Sequence, residues 1–264
     1  MYDTESAQQT IIHAMQENMF AHMLFFPERL SSFSVVKAQG LTLVDSGMDD
    51  DTFNLVFNTR LKDHALDIVE STVDYFKRES LSFAWWVGPD DVPITLPELL
   101  AQVGLKLSEK NVGMYLPIAE NAFEQGELRV ERVLDATQMQ DFAQIMIDVL
   151  GDTPAIKAYY QKLVDFPFSQ DDYEQLYVGY LDETPVTCGM LTLHSKVAGI
   201  HSLATVRNQQ NKGFGTAMVQ ELLMRAQMAE YAVAVLQAEK RAMHLYEQLG
   251  FDSICDFYVY TLDR

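Results

Sequence analysis

The run Leu203-Ala-Thr-Val-Arg-Asn-Gln-Gln-Asn-Lys-Gly-Phe-Gly-Thr216 takes an apolar strand into a loop with two glycines and straight on into a helix. The first amides of a helix have no partner within it, and the helix dipole makes that end attractive to anions. Glycines there let an anion approach the backbone closely. Such a loop can hold a phosphate or pyrophosphate with few cationic side chains. Residues 205–245 carry five bases and three acids, a net basic window in a chain of formal charge −19. The loop is not a dinucleotide fingerprint, because Met218 stands where a third glycine would follow Gly213 and Gly215. It is not a P-loop either, since no Gly-Lys-Ser/Thr occurs. A tight strand-to-helix turn without a ligand would read the same way.

The second informative segment is Ala242-Met-His-Leu-Tyr-Glu-Gln-Leu-Gly-Phe251, about 30 residues on. It reads as a short helix stopped by Gly250 and feeding a strand, with Tyr246 one turn before the helix end. Taken by itself, such a tyrosine is equally a half-buried packing residue.

Several elements must position these residues. Leu128 to Leu134 predicts a strand. Asp135 can cap a helix bearing Met139, Phe142, Met146 and Val149 and ended by Gly151. Thr153-Pro154 opens another helix, reaching about Phe166. Strands follow at 175–181, 186–194 and 197–206, then a helix at 213–229, a strand at 231–237, a helix at 239–249 and a strand at 252–262. An antiparallel meander running into a β-α-β-α-β order predicts a mixed α/β sheet with helices on both faces.

Upstream, Ile11, Met15, Met19 and Met23 predict a helix ended by Pro27. Strands are expected near 33–38, 41–44, 53–58, 81–87 and 111–118, and helices at 62–79 and 96–103. Thr95 and Glu98 form a capping-box pattern around Pro97. Residues 119–126, Ala-Glu-Asn-Ala-Phe-Glu-Gln-Gly, read as a linker. With 264 residues the chain is long enough for two domains, expected at 1–120 and 125–264.

Together, Gln210-x-x-Gly213-x-Gly215 and Ala242-x-x-Leu245-Tyr246-x-x-Leu249-Gly250-Phe251 resemble the GNAT superfamily of acyl-CoA-dependent N-acyltransferases. The first matches that family's Arg/Gln-x-x-Gly-x-Gly/Ala pyrophosphate loop, and the second its Ala-x-x-Leu-Tyr-x-x-x-Gly-Phe signature. The clear resemblance spans roughly 174–262. It implies a GNAT-like acyl-CoA N-acyltransferase fold with acetyl-CoA as co-substrate and no metal. Carried over by position, the amides of Asn211, Lys212, Gly213, Phe214, Gly215 and Thr216, after Gln210, would hold the pyrophosphate. The backbone of Leu203, Ala204 and Thr205 would pair with the pantetheine arm. Tyr246 would be the general acid that protonates the departing thiolate; a phenol ionises near ~10 and a thiol near ~8.5, so that transfer needs little tuning. His201 is the candidate base or water-relay residue, or a histidine packed on the sheet. Two departures are visible: Gln210 replaces the commoner Arg, and Gln237 stands where many members carry Asn.

The first half repeats the order of the second. Strand 53–58, helix 62–79, strand 81–87, helix 96–103 and strand 111–118 parallel strand 197–206, helix 213–229, strand 231–237, helix 239–249 and strand 252–262. Leu99-Leu100-Ala-Gln102-Val-Gly104-Leu105 echoes Leu245-Tyr246-Glu-Gln248-Leu-Gly250-Phe251, with Leu100 in the place of Tyr246. No glycine occurs from Met48 to Val87. This implies a tandem protein whose first copy, 1–120, is a degenerate GNAT-like domain without phosphate loop or acid. Its Phe83-Ala-Trp85-Trp86 run is aromatic core or a wall of the amine pocket. Asp49 to Asp51, Asp90 and Asp91 are solvated loop charges or attractors of a cationic amine.

An acidic chain disfavours nucleic-acid binding and anionic membrane surfaces. Cys188 and Cys255 are too few for a disulfide framework, and no His is spaced with carboxylates as a metal site. No secretory signal and no apolar run of membrane length is visible, so a cytoplasmic location is expected. The leading expectation is transfer of an acetyl group to the primary amine of a small molecule or peptide, by a monomer or homodimer. The competing one is an acyl-CoA-binding sensor or assembly protein with little turnover.

Overall fold

The computed structural model describes residues 4–119, 121, 123 and 128–262. Most of the expected linker at 119–126 lies outside the described residues.

Among the described residues, eighteen helices and strands longer than a single turn follow in chain order. They are α1 (Thr4–Phe25), β1 (Ser34–Ala38), β2 (Leu41–Asp45), β3 (Leu55–Phe57), α2 (Ala65–Glu79), β4 (Ala84–Val87), α3 (Leu96–Gln102) and β5 (Leu105–Pro117). Then come β6 (Arg129–Arg132), α4 (Ala136–Leu150), α5 (Pro154–Val164), β7 (Glu174–Leu181), β8 (Thr184–His194), β9 (Val197–Thr205), α6 (Phe214–Met228), β10 (Val233–Glu239), α7 (Met243–Gln248) and β11 (Asp252–Leu262). The helix and strand order is the one expected; the bounds shift where local chemistry differs. β10 runs on to Glu239, so α7 starts at Met243. Thr95 makes no side-chain cap bond to α3, so the capping box does not form. Asp135 and Thr153 do cap, accepting from Gln138 N at 2.9 Å and Ile156 N at 3.2 Å.

The chain packs as two compact units whose bounds differ from the linear stretches 1–120 and 125–264. One comprises Met1–Gly113, Gln237–Met243 and Ser253–Arg264, the other Met114–Leu236 and His244–Asp252. In the first unit the strand order is β1-β2-β3-β4-β11-β5. The last strand of the chain thus completes the first unit's sheet, with Tyr258 opposite Val87 and Tyr260 opposite Trp85 in antiparallel register. Its core is built on α2, where Val69, Val73 and Phe76 recur at helical spacing. Phe76 stacks on Phe83 at 4.3 Å, and Trp85 is fully buried.

In the second unit the order is β5-β10-β9-β8-β7-β6. β6 to β9 form the antiparallel meander. β10 lies parallel to β9. α6 packs on the middle of β8, where Gly189 leaves room for it: a Cβ there would come within 3.0 Å of Leu222 Cδ1.

Both units contain one parallel strand pair joined by a helix. In the first, Leu55 and Val56 of β3 face Ala84 and Trp85 of β4. In the second, Ala198 and Gly199 of β9 face Ala234 and Val235 of β10. The helix after each pair ends alike. Gly104 (φ 93°) donates to Ala101 O and Gly250 (φ 92°) to Glu247 O. These equal offsets put buried Leu100 where Tyr246 stands.

Candidate active site

The ladder between β9 and β10 runs through Ala198–Ala234 and Gly199–Val235. Beyond Gly199, β9 continues to Thr205 with no further ladder pair to β10 among the described residues. Parallel strands that part leave unpaired main-chain groups on their facing edges, which an extended ligand can pair with. β9 keeps its other neighbour: Ala204 faces Cys188 and Thr205 faces Thr187 of β8. Leu203, Ala204 and Thr205 therefore lie on a strand fixed from one side.

β9 also contains a bulge. Met190 faces His201, but Cys188 faces Ala204, so β9 has one residue more than β8 between these pairs. Ser202 takes up the extra length with φ 49°, in the left-handed region. A bulge re-aims a main-chain group out of the ladder. Nothing in the sequence marked Ser202, because the signal is a register shift rather than a residue type. His201, immediately before it, is half-buried.

The loop after β9 is tied down by Arg207. Its amide donates to Asp148 Oδ2 at 2.7 Å, and its guanidinium to Asp148 O at 2.6 Å and Val149 O at 3.0 Å. These carbonyls belong to the last turn of α4, where a cation is favoured. Arg207 is thereby committed to the fold. Gln210 folds back, its Nε2 donating to Thr205 O at 3.1 Å, and Lys212 Nζ reaches Gln209 Oε1 at 2.7 Å.

Gly213 then turns into α6 with φ 88°, a conformation that favours glycine. The ladder of α6 opens with Ala217 N donating to Gly213 O. Among the described residues the amides from Gln210 to Thr216 donate to no main-chain carbonyl. Asn211, Lys212 and Gly213 are exposed. The result is a row of open donors at the head of a 15-residue helix. Gly215 sits between this head and its surroundings: a Cβ there would meet Leu245 Cδ1 and Thr205 Oγ1, each at 3.6 Å. Leu245 precedes Tyr246 in α7, so the open amides and the tyrosine helix belong to one packed corner of the second unit. Tyr246 is 7% exposed, with its ring edge-on to Phe251 at 5.8 Å. On β10, Gln237 has a buried Nε2 without a hydrogen-bond partner.

A model of the acetyltransferase (GNAT) family matches residues 139–251. This part of the chain is a GNAT acetyltransferase domain. The match takes in the parted strands, the open amide row and Tyr246. Solved structures agree over almost the whole length. A GCN5-related N-acetyltransferase from Kribbella flavida is similar over 94% of this chain and 95% of its own, at 14% identity and a TM-score of 0.69. One from Sphaerobacter thermophilus covers 96% and 91% at 12% identity, with a TM-score of 0.59. A tandem GNAT protein from the clavulanic acid biosynthesis pathway, solved without AcCoA, covers 97% and 94% at 10% identity, with a TM-score of 0.61. No match was found among curated proteins. At these identities the structural likenesses establish the mixed α/β GNAT fold. The family and fold support acetyl transfer as the general activity, and acetyl-CoA is the family's usual co-substrate.

Other sequence expectations meet different outcomes. Among the described residues no group of three or more His, Cys, Asp or Glu could hold a metal ion, and no helix is long and apolar enough to cross a membrane. Asp49 and Asp50 organise their loop, accepting from Ser82 N and Thr52 N. Asp91 is half-buried, and its carboxylate accepts from Gly88 N, Thr59 N and Gln16 Nε2. Cys188 is fully buried and Cys255 half-buried, and both are free thiols.

Proposed function

We propose that the chain is an N-acetyltransferase that moves the acetyl group of acetyl-CoA directly to the primary amine of a small molecule or peptide. The observation that carries this is the row of open amides from Gln210 to Thr216 packed against the helix of Tyr246. The amides suit a pyrophosphate, and the edge of β9 from Leu203 to Thr205, where Thr205 O is held by Gln210 Nε2, suits the amide-bearing arm. A bulge such as the one at Ser202 re-aims main-chain groups out of the ladder, which an oxyanion donor requires. Tyr246 protonates the leaving sulfur. His201, beside the bulge, takes the proton of the attacking amine directly or through water. Bound there, acetyl-CoA would supply the activated acyl group; the protein supplies position and proton transfer.

The first unit is read as a degenerate copy, and its own loop supports this. Between β3 and α2 three successive main-chain amides are engaged. Thr59 N donates to Asp91 Oδ1 at 3.0 Å, Arg60 N to Gly40 O at 2.6 Å and Leu61 N to Val92 O at 2.9 Å. These three are not available to a phosphate.

Thermal unfolding with and without acetyl-CoA, followed by thiol release across an amine panel, tests the reading. Stabilisation with thiol release for one amine class is expected. Stabilisation without release for any amine would make the chain an acyl-CoA sensor, and no stabilisation would reduce the loop to a turn.

A further inference from the structure

The loop between β9 and α6 has few hydrogen-bonded ties to the rest of its unit. Val206 N donates to Val186 O at 3.0 Å, and Gln209 N donates to Val206 O at 2.8 Å across a single turn, Arg207–Gln209. Gln210 and Lys212 spend their side chains on Thr205 O and Gln209 Oε1, within the loop and the end of β9. The tie to a helix is made between Arg207 and Asp148, 59 residues apart in the chain. It runs in both directions. The Arg207 amide donates to Asp148 Oδ2 at 2.7 Å, while the guanidinium donates to Asp148 O at 2.6 Å and Val149 O at 3.0 Å. Those carbonyls lie at the end of α4, where a helix leaves its own acceptors without partners. Asp148 stands there against a local rule. An acid in the last turn opposes the helix dipole, and α4 has no base in that turn to offset it. A residue placed against its local preference finds its reason in a distant partner. For Asp148 that partner is the loop amide.

We propose that Asp148 is a positioning residue for acyl-CoA: with Arg207 it clamps the start of the loop, so that the amides from Gln210 to Thr216 are aimed before the anion arrives. This rests on the reading of that amide row as the pyrophosphate site. A loop already held in its bound shape loses less conformational freedom when the ligand binds. The clamp touches no reacting atom and acts only through the loop. The sign of its effect separates it from plain electrostatics. A carboxylate beside the loop repels a pyrophosphate, so by charge alone the removal of Asp148 tightens binding. The clamp predicts the opposite. Without Oδ2 the Arg207 amide loses its acceptor, the loop loosens, and binding weakens.

Asp148→Ala in the full chain tests this, with coenzyme A as the probe in isothermal titration calorimetry. Its Kd should rise about tenfold, the scale of one hydrogen bond to a charged group. The KM for acetyl-CoA should rise in parallel, with kcat kept within about twofold. Asp148 is exposed, and alanine is the better helix former and relieves the dipole, so the free variant should fold and melt close to the wild type. Asp148→Asn removes the charge but keeps an acceptor for the Arg207 amide, and should recover most of the affinity. A wild-type chain that binds no coenzyme A brings down the reading of the loop and the clamp with it. If the wild type binds, the proposal alone is overturned by an Asp148→Ala variant that binds as tightly or more tightly. It is equally overturned by a melting temperature that falls while Kd is kept, by a loss confined to kcat, or by no recovery in Asp148→Asn.

Discussion

Gly215→Glu should make the free protein more stable and destroy its response to acetyl-CoA. Gly215 is the second residue of α6 and does not need a positive φ. A Cβ there meets its neighbours at 3.6 Å, ordinary contact distance, so the backbone has room for a side chain's first atom. Replacing glycine inside a helix gains about 0.6 kcal/mol in propensity. A carboxylate in the first turn adds about 0.3–1 kcal/mol from the helix dipole. The sum, about 1 kcal/mol, raises the melting temperature of a chain this size by roughly 2–4 °C. The same carboxylate stands among the open amides and repels a pyrophosphate. In the wild type, acetyl-CoA at a hundred times its Kd stabilises by about 2.7 kcal/mol, or roughly 5–10 °C. In the variant that shift should vanish. Differential scanning fluorimetry with and without ligand measures both quantities. A variant still stabilised by acetyl-CoA to the wild-type extent would show that the loop is not the anion site. A free variant that melts lower would show that the helix head is not the open, dipole-exposed end described here.

Tyr246→Phe keeps the ring on Phe251 and removes only the hydroxyl. Acetyl-CoA-dependent stabilisation should persist while thiol release falls by about 10²–10⁴-fold; unchanged turnover removes the acid role. Because β11 lies between β4 and β5 in the first unit, a fragment of residues 1–120 should not melt cooperatively. Its two tryptophans, Trp85 and Trp86 on β4, should emit at the long wavelengths of exposed indole. A cooperative melt with buried-tryptophan emission would mean that β11 is dispensable to that unit.

Most of the fold was legible because its elements carry local signals. Val69, Val73 and Phe76 mark α2 by spacing alone, Asp135 and Gly151 bracket α4, and Gly250 stops α7. Thr95 shows the limit of such signals. Its residue type and its partner at Glu98 fit a capping box, yet the side chain makes no cap bond. Unit membership was illegible for a different reason. A linear reading assigns β11 to the half that precedes it. Its partner on one side is β4, some 170 residues earlier, and nothing in residues 252–262 names that partner.

The site divides along the same line. The two glycines and Tyr246 are residue types with local meaning, so the loop and the candidate acid could be read from the chain. The Ser202 bulge could not, because it is a count of residues between two register pairs. Nor could the fate of the loop amides. Both units present amides after the first strand of a parallel pair. In the first unit those of Thr59, Arg60 and Leu61 are taken by Asp91, Gly40 and Val92, none of them in the loop itself. In the second they stay open. The absence of glycine from Met48 to Val87 pointed to a lost anion site, but glycine only permits close approach. What engages Thr59, Arg60 and Leu61 is a carboxylate and two carbonyls returned to the loop from elsewhere in the unit.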